Sequence, residues 1–141
     1  IPDAYRCPAD PGLVPEETSY LAVVGDHTVI NAAESTKRTG SGPFVLKDRP
    51  EETLVIIESK RSGVNWLEPV DIPVAALRAE LNSNNAGAPG SAHSHGVNTL
   101  MADGTVIRLP EYTTTADLRG MSTIDGGDEY IEVLDEILYA D

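Results

Sequence analysis

The order of apolar and polar positions divides the 141 residues into short elements. Thr18–Gly25, TSYLAVVG, is rich in aromatic and β-branched residues and stops at a glycine, which predicts a strand. Glu52–Ser59, ETLVIIES, is a continuous apolar run, which predicts a central strand covered on both faces. Arg61–Pro69 predicts a turn and a short neighbouring strand. Asp71–Asn82, DIPVAALRAELN, predicts a helix: Asp71 caps it, Pro73 sits in its first turn, and Val74, Leu77 and Leu81 share a face. Thr113–Ile124 predicts a short helix capped by Thr115, with Leu118 and Met121 on one side and Gly120 as its weak point. Residues 128–139 fit either an amphipathic helix on Ile131, Leu134 and Leu138 or a strand at EYIEV. Pro2, Pro8, Pro11 and Pro15 make the start of the chain an irregular lead-in, and Asn31–Pro43 and Ser83–Ala92 are polar loops. Mostly strands with a few short helices imply a single α+β domain, 1–141, on a mainly antiparallel sheet.

One segment is patterned more sharply. Asp103-Gly104 separates two β-like runs, Val97–Ala102 and Thr105–Leu109, and predicts a hairpin with a two-residue type I′ turn. That turn pairs Ala102 with Thr105, Leu100 with Ile107 and Asn98 with Leu109, and puts Leu100, Ala102, Ile107 and Leu109 on the core face. Carried further back, the ladder sets His95 opposite Tyr112 and His93 opposite Thr114, with both imidazoles on one face. His-x-His on a strand is a metal-ligand spacing, so His93 and His95 are the metal candidates. Zinc needs three or four ligands, however, and the candidate thirds, His27, Asp26 and Asp103, stand at no recognisable spacing. The reading is therefore that both histidines pin the preceding loop by hydrogen bonds, with no catalytic metal and no cofactor.

Composition narrows the partners. A formal net charge of -13 repels phosphate backbones, which argues against nucleic acid. The longest apolar runs, LAVV and LVII, fall far short of the ~20 residues of a membrane-spanning helix, and no secretory leader is visible. The start at Ile1 without Met points to a processed or trimmed product. The single cysteine, Cys7, cannot form an internal disulfide and has only Arg6 as cationic support, so it reads as a small, half-buried residue. Trp66 reads as a core anchor. Glu58, at the end of the central run, needs a partner if buried, with Lys60, Arg61 or a histidine able to serve. The carboxylates of Asp125–Glu129 lack the alternation of an EF-hand loop and read as a solvated turn. No nucleophile elbow, phosphate loop or His-Glu-x-x-His is present.

Together these segments resemble a known family. His93, nine residues, then Asp103-Gly104 is similar to the signature of the prepilin-type processing-associated His-x-nine-Asp-Gly domain, a bacterial family of unknown function abundant in planctomycetes. YRCPADP (Tyr5–Pro11) resembles its Cys-Pro block, TSYLAVVG its Thr-Ser-Tyr strand, and VNTLMADGTVIRL its hairpin. VIIESKRSGVNWLEPVDIPV (Val55–Val74) resembles the Glu-x-x-x-x-Gly-x-x-Trp-x-x-Pro-x-Asp block, and DLRGMSTIDGGD the C-terminal block. The motif residues are thus Cys7, Trp66, His93, Asp103 and Gly104. Two departures stand out: KDRPEET (Lys47–Thr53) replaces the family's Asp-Gly-Thr-Ser-Asn-Thr turn, and Gly126-Gly127-Asp128 replaces Gly-Gly-Glu.

The resemblance implies the globular head of a pseudopilin-like protein outside the cytoplasmic membrane. A prepilin leader and hydrophobic helix would precede Ile1 and provide the only membrane contact. It implies a non-catalytic structural or assembly role beside a type II secretion or type IV pilus-like system, with other envelope or pilin-like subunits as partners. Two alternatives stand beside it: an extracytoplasmic module binding a solute or cation, and a metal-dependent hydrolase using His93 and His95.

Overall fold

The computed structural model describes residues 1–12, 14–30, 49–77, 81 and 89–125. The expected loop over 31–43 and the C-terminal segment 128–139 lie outside the described residues, as does most of the Ser83–Ala92 loop. Five strands form one sheet: β1 (Tyr20–Val24), β2 (Leu54–Glu58), β3 (Ile72–Pro73), β4 (Val97–Met101) and β5 (Val106–Leu109). Their order is β3-β1-β2-β4-β5. All neighbours are antiparallel except β1 and β3, which run parallel. Among the described residues one α-helix, α1 (Thr115–Met121), follows the sheet. This is an α+β fold, and β2 is its middle strand, as its apolar run predicts.

The core lies on one face of the sheet. Leu21, Val23, Leu54, Ile57, Val97, Met101, Ile107 and Leu109 point into it, and Leu77, Leu118 and Met121 close it from above. A bulge between Leu54 and Ile56 lets both Leu54 and Ile57 face inward. The expectation that β2 is covered on both faces is met on one only, since Val55 and Ile56 are half-buried. Helix α1 is held by a capping box at Thr114, one residue before the expected Thr115. The Thr114 hydroxyl accepts from the Asp117 N–H, and Asp117 accepts from the Thr114 N–H. Arg119 of α1 donates to the carbonyls of Ala75 and Leu77.

The helix expected over Asp71–Asn82 does not form where the chain is described. Ile72–Pro73 is β3, and Val74–Ala76 is a single 3-10 turn. Two causes are visible. Ile72 precedes a proline, which disfavours helical backbone. Asp71 does not cap a helix; its carboxylate accepts the Ala22 N–H at 2.9 Å and draws the segment against β1. Nor is Arg61–Pro69 a strand: only Asn65 bridges, to Glu17.

The hairpin forms with a different turn. Thr99 pairs with Ile107, Asn98 with Arg108 and Val97 with Leu109, one residue away from the expected register. Ala102–Gly104 is a three-residue loop closed by Met101 and Thr105, and within it only Gly104 has positive φ, at 90°. The reason lies in Asp103. Its carboxylate accepts both the N–H and the hydroxyl of Thr105, a local turn that keeps Asp103 out of the left-handed region and holds its pKa below the usual 3.8. A one-residue slip exchanges the faces of one strand against its partner. The core side of β4 is therefore Val97, Thr99 and Met101, while Leu100 turns outward and Ala102 belongs to the loop. Thr99 is tolerated inside because its hydroxyl donates to the Ile107 carbonyl.

Gly96 enters β4 at φ 158°, and a Cβ there would lie 2.3 Å from the Leu109 carbonyl oxygen. A Cβ on Gly104 would meet nothing, so only backbone strain opposes it. Gly104→Val is thus expected to cost about 1–3 kcal/mol of stability. Gly96→Ala should cost more, because a backbone atom cannot yield. Urea unfolding of both variants checks the order, and the reverse order would contradict the turn described here.

Candidate functional site

Three segments meet at the C-terminal end of β2. Glu58 closes the strand, Cys7 arrives from the N-terminal lead-in, and His93 arrives from the turn before β4. One donor atom from each lies within 4.8 Å of the others, and the Cys7 Sγ is 3.4 Å from the His93 Nε2. Among the described residues this is the one group of three histidine, cysteine or carboxylate donors that converge in this way.

Local bonding explains how each arrives. Ser19, at the head of β1, holds the lead-in: its N–H donates to the Tyr5 carbonyl, and its hydroxyl accepts the Cys7 N–H, both at 2.8 Å. Its carbonyl accepts from Ser59 just beyond Glu58. Glu58 at the end of β2 and Lys60 just beyond it then bond Gly90 on both sides, through Gly90 N–H to the Glu58 carbonyl and Lys60 N–H to the Gly90 carbonyl. That anchor delivers the chain to His93, whose N–H donates to the Ser91 hydroxyl at 3.0 Å. The chain leaves through His95, at φ 69°, and Gly96.

Burial makes the site costly unless it is satisfied. Glu58 is 1% exposed and Cys7 3%, while His93 is half-buried. One oxygen of Glu58, Oε2, accepts from the Asn98 side-chain amide at 2.9 Å and the Asn98 N–H at 3.3 Å. The other, Oε1, is buried and receives no hydrogen bond. Burial pushes the Cys7 thiol up to about 11, and a side-chain hydrogen bond to the Glu58 carboxylate and that group's charge add to the shift. The Tyr20 hydroxyl is raised by its burial and then by Glu58 and Cys7. A buried thiol with a raised pKa is a poor nucleophile, so the Cys7–His93 pair is not arranged as an activated thiolate.

The other sequence candidates lie elsewhere. Asp103 and Gly104 form the hairpin tip, a strand's length of about 3.3 Å per residue from His93. His93 and His95 sit in the turn before β4 and not on the strand, so no alternation puts them on one face; His95 is exposed and outside the cluster. His27 is exposed and lies 3.1 Å from Asp125, at the other end of the fold's bridge Thr28–Thr123. Trp66 is half-buried against Tyr5, ring centroids 5.6 Å apart, and outside the main core. Residues 126–129 of the acidic turn lie outside the described residues.

From the sequence Glu58 needs a partner, with a histidine among the choices, but nothing there joins it to Cys7. Cys7 and His93 stand 86 positions apart, so no spacing rule links them. The available signal was that each lies in a separate block of the family resemblance. Asn98 was visible only as a strand residue.

Asn98→Ala removes the side-chain donor to Glu58 and leaves the backbone one. It should lower stability by about 1–3 kcal/mol, read from the shift in denaturant midpoint. A change under about 0.5 kcal/mol, the usual range for surface substitutions, would mean that Glu58 does not depend on Asn98. No family model, no curated protein and no solved structure matches this chain.

Proposed function

We propose that the chain is a non-catalytic structural or assembly domain of the bacterial cell envelope, pseudopilin-like, and associated with a type II secretion or type IV pilus-like system. The proposal includes a tether preceding residue 1 in the full-length gene product and partners that are other envelope or pilin-like subunits. The resemblance of the sequence blocks motivates it. The observation that carries it is the second face of the sheet. There Tyr20, Ala22, Ile56, Leu100 and Val106 line a groove of about 620 Å³, with Tyr5 at its edge. Val106, on the edge strand β5, is 68% exposed. A sheet face of this kind is completed by a helix laid across it, the layer that α+β folds use to bury apolar surface.

The hydrolase alternative requires His93 and His95 to share an ion. His95 stands outside the donor cluster, so the geometry does not support that pair as a shared metal site.

Cell fractionation of the full-length gene product tests the proposal. It should partition with membranes, its head on the outer side, and Val106→Asp should weaken its association with other subunits while the head stays folded. Recovery of the full-length protein as a soluble cytoplasmic species would overturn the reading.

A further inference from the structure

We propose that Cys7, Glu58 and His93 form a binding site for one zinc ion, which fastens the N-terminal segment to the end of β2. The inference is independent of the envelope role.

The first argument is geometric. A tetrahedral zinc with bonds of about 2.3 Å to sulfur and about 2.0–2.1 Å to imidazole nitrogen holds the two donors about 3.5 Å apart. Cys7 Sγ and His93 Nε2 are already 3.4 Å apart, and a Glu58 oxygen completes the set within 4.8 Å.

The second argument is the orphaned oxygen. Glu58 is 1% exposed, and its Oε1 has no hydrogen-bond partner. A buried carboxylate oxygen without a donor costs free energy that a cation would recover. Oε2, by contrast, is held by Asn98 in the way that outer groups orient a metal-bound carboxylate.

Charge and donor type select the ion. A Cys7 thiolate and a Glu58 carboxylate carry two negative charges, so a divalent ion leaves the buried assembly neutral. Binding releases the thiol proton to solvent. One sulfur, one imidazole nitrogen and one carboxylate oxygen suit zinc and do not suit calcium or magnesium, which take oxygen ligands. His93 is half-buried, so solvent reaches the site from its side and water supplies the remaining ligand.

The single cysteine makes the test clean. The untagged chain, stripped with a chelator and dialysed, is titrated with zinc chloride by calorimetry and with cobalt chloride by absorption. The expected results are one zinc per chain, a thiolate-to-cobalt charge-transfer band, and Cys7 reacting at least about tenfold more slowly with a thiol reagent when zinc is bound. Cys7→Ser and His93→Ala should weaken binding by about 10–100-fold or more, and His95→Ala should not. The thiol-protection measurement uses the unaltered chain, so it decides the matter even if a variant fails to fold. Absence of zinc uptake by the folded chain would overturn the proposal, as would uptake that neither gives the cobalt–thiolate band nor protects Cys7. Neither result bears on the membrane fractionation, so the two proposals fail separately.

Discussion

A carboxylate buried at the end of the central strand is the constraint on which this structure turns. Glu58 belongs to β2, which contributes Leu54 and Ile57 to the core and pairs with strands on both sides. Ending that strand on an acid at 1% exposure obliges the surroundings to supply polar partners. Asn98 answers from β4, and the neighbourhood is filled with small hydroxyls: Thr18, Ser19, Ser59, Ser62 and Ser91 are all buried. Ser19 and Ser62 bond backbone groups, and Ser91 receives the His93 N–H. The lead-in and the turn before β4 are therefore held by hydrogen bonds to the end of the sheet more than by apolar packing.

That arrangement explains why the chemistry-bearing residues gather at one end. The hairpin core is apolar and its tip is closed by Asp103 with Thr105, both local devices. At the opposite end of β4 the chain must cross from a loop into the sheet, and it does so through two positive-φ residues, His95 and Gly96. Gly96 lies so close to Leu109 that no side chain fits. The segment from His93 to Asp103-Gly104 thus spans one strand with a different requirement at each end: an imidazole beside Glu58 at one, a tight turn at the other.

Much of the fold was legible in the sequence. β1, β2, the hairpin and α1 follow from apolar runs, a glycine stop, an Asp-Gly turn and a threonine cap expected one residue later than it stands. Two of the failures share a cause: a side chain bonds the backbone in a way that pattern does not encode. Asp71 looked like a helix cap and instead accepts from β1. Asp103 looked like half of a type I′ turn and instead binds Thr105, which shifts the register by one and turns Leu100 outward. The site was less legible than the fold, because Cys7, Glu58 and His93 come together only through the pairing of β2 with Gly90 and the Ser19 clasp. Periodicity speaks to neighbours along an element, and none of these contacts is of that kind.

A thiol, a carboxylate and an imidazole converge at the end of β2, and one oxygen of that carboxylate is unsatisfied. X-ray absorption at the zinc edge, on the chain loaded with one equivalent of zinc, tests that convergence most directly. The expected result is a zinc with a single sulfur neighbour at about 2.3 Å and nitrogen or oxygen neighbours at about 2.0–2.2 Å. A shell of nitrogen and oxygen alone would contradict it.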